Sequence, residues 1–417
     1  MKKFFFLIAI IASVWQGAAA QDADTVWTKS LWQLGSKIWK VQFTPDEKSV
    51  AVAIGNGVYV YDIETSELIK QFRGQIVGVI DFVFTDDGKQ IITTSADHIP
   101  RVWEYETTDS IRILSGFTWL WQMSFIDKST IVGAIGGVDN DNIRVIDYKT
   151  GEIIDRASCP GSVSALAVNK EKKLLAVGSI YNSEPKFYDV LLYDLWTLDY
   201  ICKLGTHNDD ITDLSFSPDG KYLASSSLDG TVKVWDVDER SLKETIIHSP
   251  VGTISLNVKF SPNGNKIITS GGGGLDFITK IWDSNTFNLI HQYPTPFGSA
   301  GGLDVSIDSN YIAIGNAHVI SILKAHWDIS GLVEPKEEIG ILYPNPVGTI
   351  ITVPNEKELQ IKQINIINSI GKQIKTILSP ISILNKVNID ISELDTGAYY
   401  LIVEYPKLVK TYKFIKN

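Results

Sequence analysis

The sequence predicts an all-β protein: a seven-bladed β-propeller followed by a small antiparallel β-sandwich. Three observations carry this. A three-strand unit, seen most cleanly as "LSFSPDGKYLASSSLDGTVKVWD" at 214–236, recurs seven times along the chain. Its first strand alternates with period two, as a half-buried strand does and a helix does not. Past residue 334 the rhythm stops, and short alternating strands of a different spacing run to the C-terminus.

The chain has 417 residues and a formal net charge of −10. That balance argues against nucleic acid, which rewards a basic face. At the N-terminus, Met1-Lys2-Lys3 is basic, Phe4 to Val14 is almost wholly apolar, and Gly17 to Ala20 supplies small residues. This is the pattern of a secretory signal peptide over residues 1–20, cleaved near Ala20. The apolar run is short for a bilayer span, and no span is expected after its removal. Cys159 and Cys202 fall in different registers of neighbouring units, so two free, mostly buried thiols are expected rather than a disulfide.

The propeller is read over 21–330. Its first strands end at Phe43, Phe84, Phe125, Val168, Phe216, Phe260 and Ile307, at spacings of 41, 41, 43, 48, 44 and 47 residues. Turn-formers follow: Thr-Pro-Asp after Phe43, Thr-Asp-Asp-Gly after Phe84, Ser-Pro-Asp-Gly after Phe216 and Ser-Pro-Asn-Gly after Phe260. Third strands end in an aromatic or apolar residue and an acid: Tyr61-Asp62, Trp103-Glu104, Ile146-Asp147, Tyr193-Asp194, Trp235-Asp236 and Trp282-Asp283. One such sheet has two partly apolar faces and two open edges. Stacking seven in a ring buries the faces and protects the edges.

These units resemble the WD-repeat β-propeller family, best over 205–236 and most loosely in the third, fourth and seventh copies. In that family the outer strand of the last blade comes from the opposite terminus. Val26–Leu34 has no blade of its own, so the resemblance implies that it closes blade seven beside Val319–Leu323.

Residues 331–338, with Pro335 and its flanking charges, read as a linker, and 339–417 as the sandwich. Strands are expected at 349–353, 361–368, 372–378, 386–391, 398–404 and 409–415. "LYPNPVGTIITV" at 342–353, "INIINSIGKQI" at 364–374 and "IDISELDTGAYYLIVE" at 389–404 resemble, in that order, the type A sorting domain of the type IX secretion system. The motif residues are Tyr343, Pro344, Asn345, Pro346, Gly371, Leu394, Gly397 and Tyr399. The resemblance implies passage through the periplasm, transfer across the outer membrane by that machinery, and a cell-surface or extracellular destination. The other reading is a generic sandwich that binds carbohydrate or protein.

Several residue groups carry both a chemical and a structural reading. His207, Ser225 or Ser227, and Asp229 are the components of a hydrolytic triad. With Trp235 they are also a blade's buried hydrogen-bond network in the family resembled, and no Gly-x-Ser-x-Gly elbow favours the triad. A similar acid recurs at Asp97, Asp189 and Asp276, as a turn-former would. "GGGGLDF" at 271–277 leads into a strand, not a helix, so it reads as a turn and not a phosphate loop. Asp139 and Asp141 lack the ligand run of a calcium loop, so a polar turn is expected there and no metal is assigned, with a metal site the alternative. Asp81, Asp213 and Asp304 read as sharing one register on inner strands, facing the channel with Lys40 and Gln122. Trp39 and Trp121 share another register, with Trp119 beside the latter. Packing between blades is the first expectation for them; exposed at a propeller mouth, they would instead be binding anchors. The insertion "YNSEPKFYD" at 181–189 marks blade four as a candidate surface.

The function expected is a non-catalytic scaffold for a protein or glycan partner, without a cofactor. The alternative is a propeller hydrolase or lactonase, which needs convergent His and carboxylates or a metal at the channel mouth. Of the six histidines, His98 is the first to inspect for that role.

Overall fold

The computed structural model describes residues 25–325 apart from 36, 76, 98, 115–119, 136–140, 181–185, 250–254, 274–275 and 295–299. Beyond these it describes 340–341, 350–354, 361, 363–368, 373–378, 386–395, 397–405 and 408–416. The chain forms a propeller unit and a C-terminal unit.

The propeller has seven four-stranded antiparallel sheets. Six are built from consecutive strands. Blade one runs Ile38–Phe43, Ser49–Ile54, Gly57–Asp62 and Leu68–Arg73, and blades two to six repeat this order. Blade seven is composite. Ala300–Val305, Tyr311–Asn316 and Val319–Lys324 supply three strands, and Thr25–Ser30 supplies the outermost one. The expected closure is therefore present, with Thr28 opposite Ser321 and Ser30 opposite Val319. The closing strand is shorter than expected, because the chain leaves it at Leu31 and makes a 3-10 turn at Trp32–Leu34.

The core is divided into seven apolar layers, each between adjacent blades, rather than gathered at one centre. Period-two alternation explains this, because successive side chains of a strand serve opposite layers. In blade one, Ala51 and Ala53 face blade two, while Val50 and Val52 pack toward blade seven. Trp27 of the closing strand is buried in the layer between blades seven and one. Its indole N–H donates to the carbonyl of Ile63 at 2.6 Å, and Lys29 Nζ donates to the carbonyl of Ser66 at 2.6 Å. The segment thus fastens to blade one as well as pairing with blade seven.

The repeated turn residues have repeated jobs. Thr44, Thr85, Ser217, Ser261 and Ser306 each accept a backbone N–H five residues on and donate to Asp46, Asp87, Asp219, Asn263 and Asp308. Gly88, Gly220 and Gly264 take the left-handed conformation, but Glu47 and Ser309 adopt it without glycine. The acid ending the third strand caps the next turn: Asp62 accepts from the N–H of Glu64 and Thr65, and Asp236 and Asp283 act likewise.

Blade seven corrects the expected register. Its first strand ends at Val305, because Ser306 and Asp308 already form the turn. Ile307 projects outward at 69% exposure. Val305, not Ile307, is the counterpart of Phe216. Three smaller corrections follow. Asp189 lies within the third strand of blade four opposite Ser179, not in the turn held by Asp97 and Asp229. Gly271 to Gly273 pair as strand residues with Asp276 to Ile278. Cys159 is buried but Cys202 only half so; both are free thiols, in different inter-blade layers.

The C-terminal unit has a five-stranded sheet in the order Gly340–Ile341, Leu408–Lys416, Gly397–Tyr405, Gln363–Asn368, Gln373–Leu378, and a two-stranded sheet of Ile350–Pro354 with Lys386–Asp390. Ile364, Ile366, Ile389, Leu401 and Val403 form its core.

Two outcomes are expected. Trp27→Ala, which leaves a cavity and an unpartnered carbonyl, should destabilise the propeller by about 3–5 kcal/mol in denaturant unfolding. The Asp219 carboxyl is held below the usual range, first by the Ser217 hydroxyl and then by the Lys221 N–H. Ser217→Ala should therefore move its NMR titration midpoint upward. A depressed carboxyl of this kind stabilises the fold above the ordinary carboxylate range, and that contribution is lost as pH falls through its folded value.

Candidate site: the central channel and its mouth

A break in strand pairing builds the channel mouth. In six of the seven first strands the register slips by one residue: between Ile38 and Lys40, Val79 and Asp81, Leu120 and Gln122, Val163 and Ala165, Ile211 and Asp213, and Ala300 and Gly302. Blade six has no such slip. The residue left over at each bulge is Trp39, Ile80, Trp121, Ser164, Thr212 or Gly301. A bulge re-aims a side chain out of the pleat, and here it turns these residues to the ring's opening. All six line a cavity of about 970 Å³ along the axis. Gly301 belongs to this set because its backbone abuts blade one, where a methyl would run into the Ile38 carbonyl.

Trp39 and Trp121 thus line the channel mouth. Trp39 is 37% exposed, and Trp121 is half-buried. Lys37 Nζ lies 3.9 Å from the Trp39 ring centroid. Trp119 lies outside the described residues.

Below the mouth the channel's polar groups join neighbouring blades. The first strand of each blade has no partner on its inner edge, so its N–H groups need acceptors. Asp81 Oδ2 accepts from the N–H of Met123 at 2.7 Å, and Gln122 Oε1 from Leu166 at 2.8 Å. Asp213 Oδ2 accepts from Val258 at 3.2 Å, Ser215 Oγ from Phe260 at 3.0 Å, and Asp304 Oδ2 from Phe43 at 2.8 Å. Lys40 Nζ pairs with Asp81 Oδ1 at 2.6 Å. Each bond runs from one blade to the next, and together they cover five of the seven junctions. In blade four the same positions are Ala165 and Ala167, which offer no acceptor.

Asp81 and Asp213 share a register, as expected. Asp304 does not: with Val305 ending its strand, it lies level with Ser215 and Lys259. Lys259 is the channel residue that sequence reasoning missed, because the interleaved positions of the first strand looked like plain polar filler. Burial opposes its charge, yet the attraction of Asp213, Asp304 and Asp81 prevails and holds its ammonium above the ordinary lysine range. Burial raises the Asp213 and Asp304 carboxyls, against the opposing pull of Lys259.

The other sequence candidates lie elsewhere. His207 Nε2 and the Trp235 indole N–H meet at Ser225 Oγ, at 2.7 and 2.8 Å, deep within blade five. Asp229 accepts from the N–H and hydroxyl of Thr231. Ser227 instead donates to the Asp209 carbonyl. Trp103 with Thr93 and Trp282 with Thr269 repeat the Trp235–Ser225 bond in blades two and six. Asp97 binds Arg101, Asp189 binds Lys203, and Asp141 faces Arg156. His98, Asp139 and residues 181–185 of the blade-four insertion lie outside the described residues, as does the Asp276 side chain. Among the described residues no cluster of His, Cys, Asp and Glu is grouped to hold a metal ion.

In the C-terminal unit, Leu394 and Tyr399 are buried core residues. The Tyr399 hydroxyl donates to the Asp395 carbonyl at 3.0 Å, and Gly397 opens the strand that pairs with the last one. Tyr343, Pro344, Asn345, Pro346 and Gly371 lie outside the described residues.

Family comparison agrees with this geometry. The WD domain, G-beta repeat, matches residues 198–236 and 241–283, and the secretion system C-terminal sorting domain matches 341–417. The chain carries WD repeats and a secretion sorting domain. Similar curated proteins include periodic tryptophan protein 2 of Arabidopsis thaliana, 30% identical over 49% of this chain and 23% of that protein. The serine-threonine kinase receptor-associated protein of Gallus gallus is 24% identical over 54% of this chain and 60% of its own length. U3 small nucleolar RNA-associated protein 21 of Saccharomyces cerevisiae is 27% identical over 30% of this chain and 12% of its own. The chain thus spans less than two thirds of each of these relatives. Among the described residues no helix is long and apolar enough to cross a membrane.

Lys259→Met should destabilise the propeller at neutral pH by leaving Asp213 and Asp304 with only the weaker pull of Lys40. The Lys259 contribution is full below the ordinary lysine range and is lost as pH rises through its raised folded value. The alkaline limb of a stability–pH profile should accordingly be flatter in the variant.

Proposed function

We propose that the protein is an exported, non-catalytic scaffold whose propeller presents a binding surface at the channel mouth, at the cell surface or outside the cell. The observation that carries this is Trp39, which a bulge turns into the opening at 37% exposure beside Lys37. An exposed aromatic on a rigid strand makes an anchor that loses little entropy on binding.

The fate of the channel carboxylates supports a role without catalysis. Asp81, Asp213 and Asp304 each accept a backbone N–H from the next blade, which gives these carboxylates an architectural role. His207 and Ser225 are likewise enclosed within a blade. Two relatives are named for association with a nucleolar RNA or a kinase receptor. We carry over only the habit of association, since a charge of −10 disfavours RNA.

Export rests on the matched sorting domain and on the N-terminal signal-peptide pattern over residues 1–20, which precede the described region. Together they support a route through the inner membrane first and the type IX machinery second. Fusion of residues 336–417 behind a signal peptide should carry an inert reporter out of a host that has this machinery. Reporter retained in the periplasm would sink the export reading.

A further inference from the structure

We propose that the channel mouth is a saccharide-binding site, in which Trp39 and Trp121 stack on the rings of a neutral glycan chain and the polar lining below them receives its hydroxyl groups. The inference rests on the scaffold reading and names the ligand class for it.

Two indoles on blades one and three turn into the same opening. The face of an indole carries negative charge density. The C–H face of a pyranose ring carries weakly positive hydrogens and is itself apolar, so the two surfaces complement each other. Lys37 covers one face of the Trp39 ring at 3.9 Å and steadies its orientation, so a sugar would stack on the opposite face of this ring, which lines the cavity.

Charge selects against ionic ligands. Lys37, Lys40 and Lys259 face Asp81, Asp210, Asp213 and Asp304 across the lining. Three cations against four anions leave no strong field of either sign, so neither a polyanion nor a polycation is favoured.

Hydrogen-bonding capacity selects for hydroxyls. Lys259 makes no direct ion pair among the described residues, so its three donors remain to be used. Gln122 spends its oxygen on the Leu166 N–H and keeps its amide donors. Asp213 and Asp304 accept from backbone N–H groups but retain further lone pairs. A lining that both donates and accepts matches a ligand whose every polar group does the same, and a sugar hydroxyl is such a group. At about 970 Å³ the cavity stands at the upper end of the range for ligand pockets, with room for more than one sugar ring.

The test uses the full secreted chain. Titration calorimetry and indole fluorescence would be followed against short neutral oligosaccharides of glucose and of N-acetylglucosamine, with oligogalacturonate as the anionic counterpart. Saturable binding of a neutral series is expected. Trp39→Ala and Trp121→Ala should each weaken it about tenfold or more, and Trp39→Phe should retain most of it. Trp196→Ala, at an exposed turn away from the channel, should leave binding unchanged and serves as the control for folding. The proposal falls if no neutral series binds, if the anionic one binds more tightly, or if binding ignores both mouth variants. Capture of a protein partner that depends on Trp39, with no saccharide bound, would overturn the ligand class and leave the scaffold standing.

Discussion

Every feature of the propeller depends on one pairing, that of Thr25–Ser30 with Val319–Lys324. Each sheet exposes two apolar faces, so no blade is stable without neighbours on both sides. A ring meets that need for all seven only if the last blade is complete. The closing strand supplies the fourth strand of blade seven and, through Trp27 and Lys29, two hydrogen bonds to blade one. Without it the layer between blades seven and one would lose its outer part, and a strand edge would lie open.

Around the axis a second need arises. Seven inner strands each turn an unpaired edge toward the channel, where regular sheet bonding ends. Side chains take over, with Asp81, Gln122, Asp213, Ser215 and Asp304 each reaching the next blade's backbone. The channel is polar first because the backbone requires acceptors there. Lys40 and Lys259 then balance the carboxylates recruited for that purpose. Above this belt, at the bulges, Trp39 and Trp121 line the opening.

Much of the fold was legible in the sequence, for a physical reason. A turn that needs a hydroxyl and an acid or asparagine at fixed offsets leaves the same letters in five blades. The period-two first strands mark the other two, while the closing role of the N-terminal strand came from the family resemblance. The six expected strands of the C-terminal sheets lie within about two residues of those observed, but the short parallel strand Gly340–Ile341 was not foreseen. Blade seven was misread because Ile307 imitates the apolar end of a strand, and only the Ser306–Asp308 hydrogen bond shows the turn already begun. That slip of two residues gave Asp304 the wrong level. The bulges were hidden altogether, since one extra residue in a strand disturbs the alternation no more than a chance substitution does. The site was therefore half visible: Trp39 and Trp121 shared a register, but the reason they leave the sheet did not show. Lys259 was invisible because its character comes from carboxylates on blades two, five and seven, which meet it only when the circle is complete.

The composite seventh blade also sets an order of events. Thr28 and Ser321, which share a hydrogen bond across it, stand 293 positions apart in the chain. Thr25–Ser30 therefore finds its partner only once Val319–Lys324, the last propeller strand, is in place. Bringing such distant ends together costs entropy that is recovered only at the final contact. A chain that lacks this contact is an open arc, and the wheel is shut only when it forms.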